Sequence, residues 1–180
     1  MLDSNIQLPV EASCGNSNII DAFKGGMGRL AAGVSLITTA SRGVDHGFIA
    51  TAVTSVCAEP PTLLVCANTS TSAHDPIYES EILCVNVLST SHKEIAGHFS
   101  SSKSRDLRFK RGTWSVGSTG APVLGDALAA FNCKVVKKIP HGTHTIFIAE
   151  VCSVNIAVTE VDPLLYVDKS YRNLVALSSV

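Results

Sequence analysis

The sequence predicts a mainly β fold, an antiparallel barrel or sandwich with short peripheral helices. Three observations carry that expectation. Segments that are apolar throughout, or that alternate apolar with polar residues, recur along the 180 residues, most of them bounded by Gly, Pro, Asn or Asp. Few helical patterns between them are long enough for the regular crossovers of a parallel sheet. Hydrophobic residues make up 46% of the chain against 16% charged, more apolar surface than one core conceals, so a homodimer is expected.

Residues 1–17 are polar and mixed and read as a flexible arm, with 18–180 as a single domain. Ile19, Ile20, Phe23, Met27, Leu30 and Ala31 then recur at three- and four-residue spacing, a helix of about four turns capped by Ser17 or Asn18. Val34–Thr39 is a strand, Arg42–Gly47 a turn, and Phe48–Cys57 a second strand closed by Glu59-Pro60-Pro61. Thr62–Ala67 is a third strand, fully apolar but for its first residue. Ser72 is expected to cap a short helix through Tyr78, with Pro76 tolerated in its first turn.

Ile82–Leu88 is a fourth strand, and Ser91–Phe99 a second short helix that presents Ile95 and Phe99 on one face. Ser100–Gly120 is a long polar loop interrupted by Phe109 and Trp114. Ala127–Lys137 and Thr143–Ile156 are two more strands around the turn Pro140-His141-Gly142. Pro163–Val167 is a last short strand, and the tail is helix or coil.

The same residues exclude several chemistries. A formal net charge of −1 does not suit a binder that neutralises phosphates, and no apolar run approaches the roughly 20 residues of a membrane helix. The N-terminus lacks the basic and apolar segments of a secretory signal, so a cytoplasmic protein is expected. The six cysteines, at 14, 57, 66, 84, 133 and 152, form no CxxC pair and read as reduced, mostly core residues. There is no GxSxG, HExxH, GxxxxGK[ST] or strand-borne GxGxxG motif. His141 and His144 flank a turn without further ligands at metal spacing, so no metal is expected and His141 reads as an exposed turn residue.

Two segments remain, Ala50-Thr51-Ala52-Val53-Thr54-Ser55 and Ala67-Asn68-Thr69-Ser70-Thr71-Ser72-Ala73-His74. Small side chains let a flat ring approach the backbone, while amides and hydroxyls bind ring carbonyls and phosphate oxygens without a basic cluster. The plainer alternative is a Thr-rich strand and a Ser/Asn turn.

Five ordered motifs extend the argument: Arg29-Leu30-Ala31-Ala32-Gly33-Val34-Ser35, Ala50–Val56 with Glu59-Pro60-Pro61, Val85-Asn86-Val87-Leu88-Ser89, Gly120-Ala121-Pro122-Val123-Leu124, and Gly142–Val151. With them, from about Phe23 to Leu174, the chain resembles the short-chain flavin reductases, the reductase components of two-component flavin-dependent monooxygenases. The resemblance implies a split β-barrel homodimer, FMN-binding and Greek-key-like, with flavin held noncovalently at the subunit interface. It implies an NAD(P)H:flavin oxidoreductase that reduces FMN or FAD with NADH or NADPH and supplies the reduced flavin to a separate oxygenase. By position, Thr51, Ala52, Thr54 and Ser55 fall on the isoalloxazine ring, and Asn68, Ser70 and Ser72 on the ribityl chain and phosphate. His98 and Phe99 fall beside the flavin, and His144 against the nicotinamide nucleotide, its alternative being a satisfied core histidine. Tyr171 falls in the C-terminal stretch near the nicotinamide, although Tyr166–Arg172 has no glycine where the family is glycine-rich. Two other readings of such a barrel are a flavin-binding module acting as sensor or electron carrier, and an oxidase of the pyridoxamine-phosphate type. The latter expects a cluster of Arg and Lys that this chain lacks.

Overall fold

The computed structural model describes residues 17–158 and 160–175. They form helix α1 (Ser17–Met27), strands β1 (Ala32–Gly33), β2 (Ser35–Ser41), β3 (Val44–Ala50), β4 (Val53–Ala58) and β5 (Pro61–Asn68), then helix α2 (His74–Ser80) and strand β6 (Ile82–Val87). Helix α3 (Lys93–Ser100) lies between two short 3-10 turns, Thr90–His92 and Ser102–Leu107. Strands β7 (Trp114–Val116), β8 (Pro122–Leu124), β9 (Ala129–His141), β10 (His144–Ile156), β11 (Leu165–Val167) and β12 (Ser170–Arg172) follow. No helix among the described residues is long and apolar enough to cross a membrane.

Seven strands make one sheet in the order β3-β2-β6-β9-β10-β5-β4, every neighbouring pair antiparallel. Local chemistry sets its hairpins. Arg42 and Gly43 both take positive φ, 53° and 76°, the primed turn whose twist matches its flanking strands. Gly142, at φ 55°, closes the β9–β10 hairpin. The expected strand Phe48–Cys57 is in fact two, β3 and β4, at opposite edges of the sheet yet joined only by Thr51 and Ala52. So short a link forces the sheet to curl until the end of β3 lies beside the start of β4. The two edge strands do not pair, so the sheet stays open, and the result is the split β-barrel expected from the resemblance.

Both faces of the sheet are covered around β2. Ile37 enters the barrel core with Phe48, Val65, Leu83, Val85 and Phe147, while its neighbour Leu36 turns outward to Ile95, Phe99 and Leu124. Asn86 ties the outer layer together: its Nδ2 donates to the Leu36 carbonyl (3.0 Å) and to Thr38 Oγ1 (3.1 Å), and its Oδ1 accepts from Leu124 N (2.8 Å). A buried amide so satisfied specifies one packing.

Several expectations need correction. The helix α1 already includes Ser17 and Asn18, the residues expected to cap it, and ends at Met27 before Gly28. Its apolar row is not core: Phe23 is 65% and Leu30, just beyond it, 61% exposed. Ser72 is not a helix cap, because α2 begins after Ala73 with no side-chain cap, and Ser72 bonds to a distant arginine instead. Pro140 lies inside β9, at the part of that strand beyond its pairing with β6. The tail is neither helix nor coil throughout, since β12 pairs back on β11 through a turn in which Asp168 and Lys169 both adopt positive φ (48° and 59°). Of the cysteines, Cys84 and Cys133 are buried, their thiols pushed up to about 12 chiefly by burial, but Cys66 is half-buried and Cys57 and Cys152 are exposed. Cys14, and the arm over 1–17 apart from Ser17, lie outside the described residues.

Candidate functional site

The split barrel leaves β4 with a strand neighbour on one side only and, after Val53, which packs on the core, its side chains exposed. Thr51, Thr54, Ser55 and Cys57 wall a cavity of about 620 Å³ whose floor is apolar, with Val85 and Phe131 among its residues. Thr51 also lines a second cavity, of about 540 Å³, together with Thr71, Phe99, Tyr166, Lys169 and Tyr171. A third, of about 350 Å³, begins beside Thr71 at Ser72 and runs past Gly47, His46, Arg105 and Arg108. The three form a chain of recesses, with Thr51 between the first two and the Thr71–Ser72 turn between the last two.

The polar loop between β5 and α2 is built around Asn68. Its Oδ1 accepts from the Ser70 backbone N (2.9 Å) and from Ser70 Oγ (2.8 Å), an Asx turn that frees the chain from the sheet. Thr71 Oγ1 is buried against the second cavity without a hydrogen-bond partner. A buried hydroxyl left unmatched is costly, and of the four such buried atoms among the described residues this one belongs to a residue lining the second cavity. Ser72 Oγ accepts from Arg108 Nη1 at 3.0 Å.

Phe99 anchors the far side. It is 4% exposed, packs edge-on against Phe109 (centroids 5.0 Å, interplanar 88°), and presses on β3 so closely that a Cβ at Gly47 would lie 2.8 Å from its ring. Glycine at 47 is therefore a packing requirement. His98 is half-buried, with Nε2 3.7 Å from Glu94 Oε1, and its carbonyl accepts from Arg108 Nε at 3.1 Å. Tyr171 pairs across β11–β12 with Tyr166, rings edge-on at 5.6 Å.

The structure thus gathers Thr51, Thr54, Ser55, Ser72, Phe99 and Tyr171 around connected recesses. Ala52 serves the backbone there, its carbonyl accepting from Cys66 N at 3.0 Å. Asn68 and Ser70 shape the adjoining turn, and His98 stands one residue before Phe99. His144 lies outside these three cavities, exposed at the end of β10, where it pairs with Asn68 and its Nδ1 is 3.0 Å from Thr143 Oγ1. It is not a core histidine. His141 is exposed at the end of β9, as expected.

Sequence reasoning missed Thr71, Lys169 and Arg108 as site residues. Thr71 sat inside a hydroxyl cluster with nothing local to single it out. Lys169 shares with Asp168 the tight positive-φ turn between β11 and β12, and no local pattern in the sequence marks it as a lining residue. Two guanidinium groups, Arg105 and Arg108, and one carboxylate, Asp45, line the third cavity, and burial first, opposed by Asp45 and assisted by Arg105, holds His46 there below its ordinary 6.5. Burial, then Arg105, likewise lowers Arg108.

Known proteins resemble this chain in sequence and in fold. Residues 27–175 match the family described as flavin reductase like domain. The chain is 42% identical over 167 residues to the FMN reductase (NADH) RutF of Methylorubrum populi, spanning 93% of this chain and 78% of that one. Among solved structures, the flavin reductase PheA2 in its native state superposes with a TM-score of 0.78 at 34% identity, covering 87% of this chain and 98% of that one. BorF, the flavin reductase component of a bacterial two-component tryptophan halogenase, does so with a TM-score of 0.78 at 27% identity, covering 88% and 99%.

Proposed function

The chain belongs to the flavin reductase like domain family, and from that premise we propose that it oxidises NADH, reduces FMN and hands the reduced flavin to a separate oxygenase component in the cytoplasm. The observation that carries this reading is the exposed face of β4, small and hydroxyl-bearing, opening on a large apolar-floored cavity. Flavin, when bound, supplies the acceptor for the nicotinamide hydride, which is why the chain needs no nucleophile of its own.

The residues fit that group. On β4 the short side chains of Thr54 and Ser55 allow a flat ring to come close, and backbone N–H groups of an edge strand that face away from their neighbour are donors for ring carbonyls. Such donors also stabilise negative charge that develops on the ring during reduction. The unmatched Thr71 hydroxyl and the Asn68–Ser72 turn serve the ribityl chain and phosphate. Phe99, Tyr171 and the apolar floor exclude water, and Lys169 brings a positive charge to the second cavity. His144 and Tyr171 are assigned to the nicotinamide nucleotide, His144 from the hairpin end that adjoins the Asn68 turn.

A second copy of the chain completes the proposal. Ile20, Phe23, Met27 and Leu30 line an exposed apolar row, and a homodimer would bury it. The test mixes purified protein aerobically with NADH, with and without FMN, and follows nicotinamide absorbance, repeating with FAD and NADPH. Rapid oxidation that depends on added FMN is expected, fastest with NADH. A protein that stays yellow through gel filtration and consumes no nicotinamide overturns the reading in favour of a flavin-binding module.

A further inference from the structure

Arg108 has no donor to spare for a ligand. Its Nε donates to the His98 carbonyl (3.1 Å), Nη1 to the Gly47 carbonyl (3.4 Å) and Ser72 Oγ (3.0 Å), and Nη2 to the Phe99 and Ser101 carbonyls (both 3.2 Å). These contacts use its whole fork. The plane also rests on the Phe99 ring, 5.5 Å from the centroid. One side chain therefore joins β3, the end of α3 and the Ser72 turn, and of these β3 and Ser72 border the third cavity.

Four of the five acceptors are main-chain carbonyls, which have no proton to redirect. Ser72 is different. A hydroxyl that accepts from a guanidinium must point its own proton elsewhere, and a charge-assisted bond to its oxygen makes that proton a better donor. Ser72 is half-buried, and it faces a cavity that also holds the cationic Arg105 against the single carboxylate of Asp45. A donor hydroxyl set in a positive recess suits an anionic oxygen.

We infer that Arg108 is a positioning residue: by holding Ser72 as a hydrogen-bond donor toward the third cavity, it makes the site select phosphorylated flavin over riboflavin. The inference rests on the flavin-reductase reading and on the placement of the Asn68–Ser72 turn at the phosphate. Arg108 touches neither ring nor phosphate; its effect passes through Ser72.

The experiment titrates the full chain with FMN and with riboflavin, by quenching of flavin fluorescence, in the wild type and in Ser72→Ala, Ser72→Thr, Arg108→Lys and the Ser72→Ala/Arg108→Lys double variant, alongside thermal melting. The wild type is expected to prefer FMN, and Ser72→Ala and Arg108→Lys each to shrink that preference about tenfold, the loss typical of one charge-assisted hydrogen bond. Ser72→Thr, which keeps the hydroxyl, is expected to retain it. The double variant is expected to lose no more than Ser72→Ala, because both changes remove one interaction. If Arg108→Lys weakens FMN and riboflavin equally, Arg108 is scaffold only and the inference is overturned. If Ser72→Ala shrinks the preference while a folded Arg108→Lys does not, Ser72 acts without Arg108 and the inference again fails. Should Arg108→Lys not fold, the Ser72→Ala and Ser72→Thr pair decides, and a preference equal in both overturns it. NADH oxidation by the wild type, measured in parallel, tells a failure of this inference from a failure of the reductase reading.

Discussion

Strands β6 and β4 are both six residues long and mix aliphatic with small polar side chains, yet their fates are opposite. In β6, between β2 and β9, Leu83, Cys84, Val85 and Asn86 are buried. In β4, at the edge, Thr54 through Ala58 are exposed, and Val56 is 49% accessible. They differ in side chains, with two hydroxyls on β4 against bulkier aliphatics on β6, and in place, with one strand neighbour for β4 and two for β6. A central strand has both faces and both edges committed to the fold, whereas an edge strand keeps one row of backbone groups and a set of side chains for something else. On the proposed function, stability and ligand binding therefore occupy different strands of one sheet.

The sharpest way to break that comparison is a matched pair of substitutions. Leu83→Ala removes a fully buried side chain and is expected to cost about 2–5 kcal/mol in denaturant unfolding, whereas Thr54→Ala shifts stability by less than about 0.5 kcal/mol and weakens FMN binding instead. Similar losses of stability in both would show β4 to be framework. Next in size is charge placed on the turn: Ser70→Asp or Ser72→Asp is expected to weaken FMN about tenfold or more while sparing riboflavin, since like charge meets the phosphate. Unchanged FMN affinity would reduce the segment to a turn.

His144→Ala sharpens the division within the site. It is expected to raise the KM for NADH about fivefold, the scale of one modest hydrogen bond, and to leave the Kd for FMN in place. Unaltered turnover at limiting NADH would remove His144 from the site. The smallest effect concerns His46. With its folded pKa held below 6.5, the unfolded chain takes up the proton more readily, so its stabilising contribution is complete above pH 6.5 and is lost as pH falls through the folded value. Melting temperature against pH is expected to slope less below 6.5 in His46→Gln; an identical slope would show that other groups set it.

Much of the fold was legible because its signals are local. The strand Val34–Thr39, the turn opening at Arg42 and the turn around Gly142 announce themselves within a few residues and together imply an antiparallel order, although the structure carries strands into both turns, β3 beginning at Val44 and β9 reaching His141. The break at Thr51-Ala52 did not show, because the alternation of small and apolar residues continues through it. Likewise the apolar spacing of α1 marks a helix, and only the finished barrel shows that it leaves Ile20, Phe23, Met27 and Leu30 exposed. In the site, the hydroxyl clusters on β4 and after β5 were visible as composition. Arg108 was hidden in a polar loop, since its meaning lies in acceptors at Gly47 and Ser72, 61 and 36 positions away.

The sequence by itself determined most of the strands, the places of the hairpin turns, the hydroxyl-rich segments and, through ordered motifs, the family, because each depends on residue types at short spacing. Only the tertiary structure decided which strand became the edge, which hydroxyl at the cavity went unmatched, and which arginine reached across three segments. Those outcomes depend on how a curled sheet divides its neighbours, and pairing between strands distant in the chain is written in no local pattern.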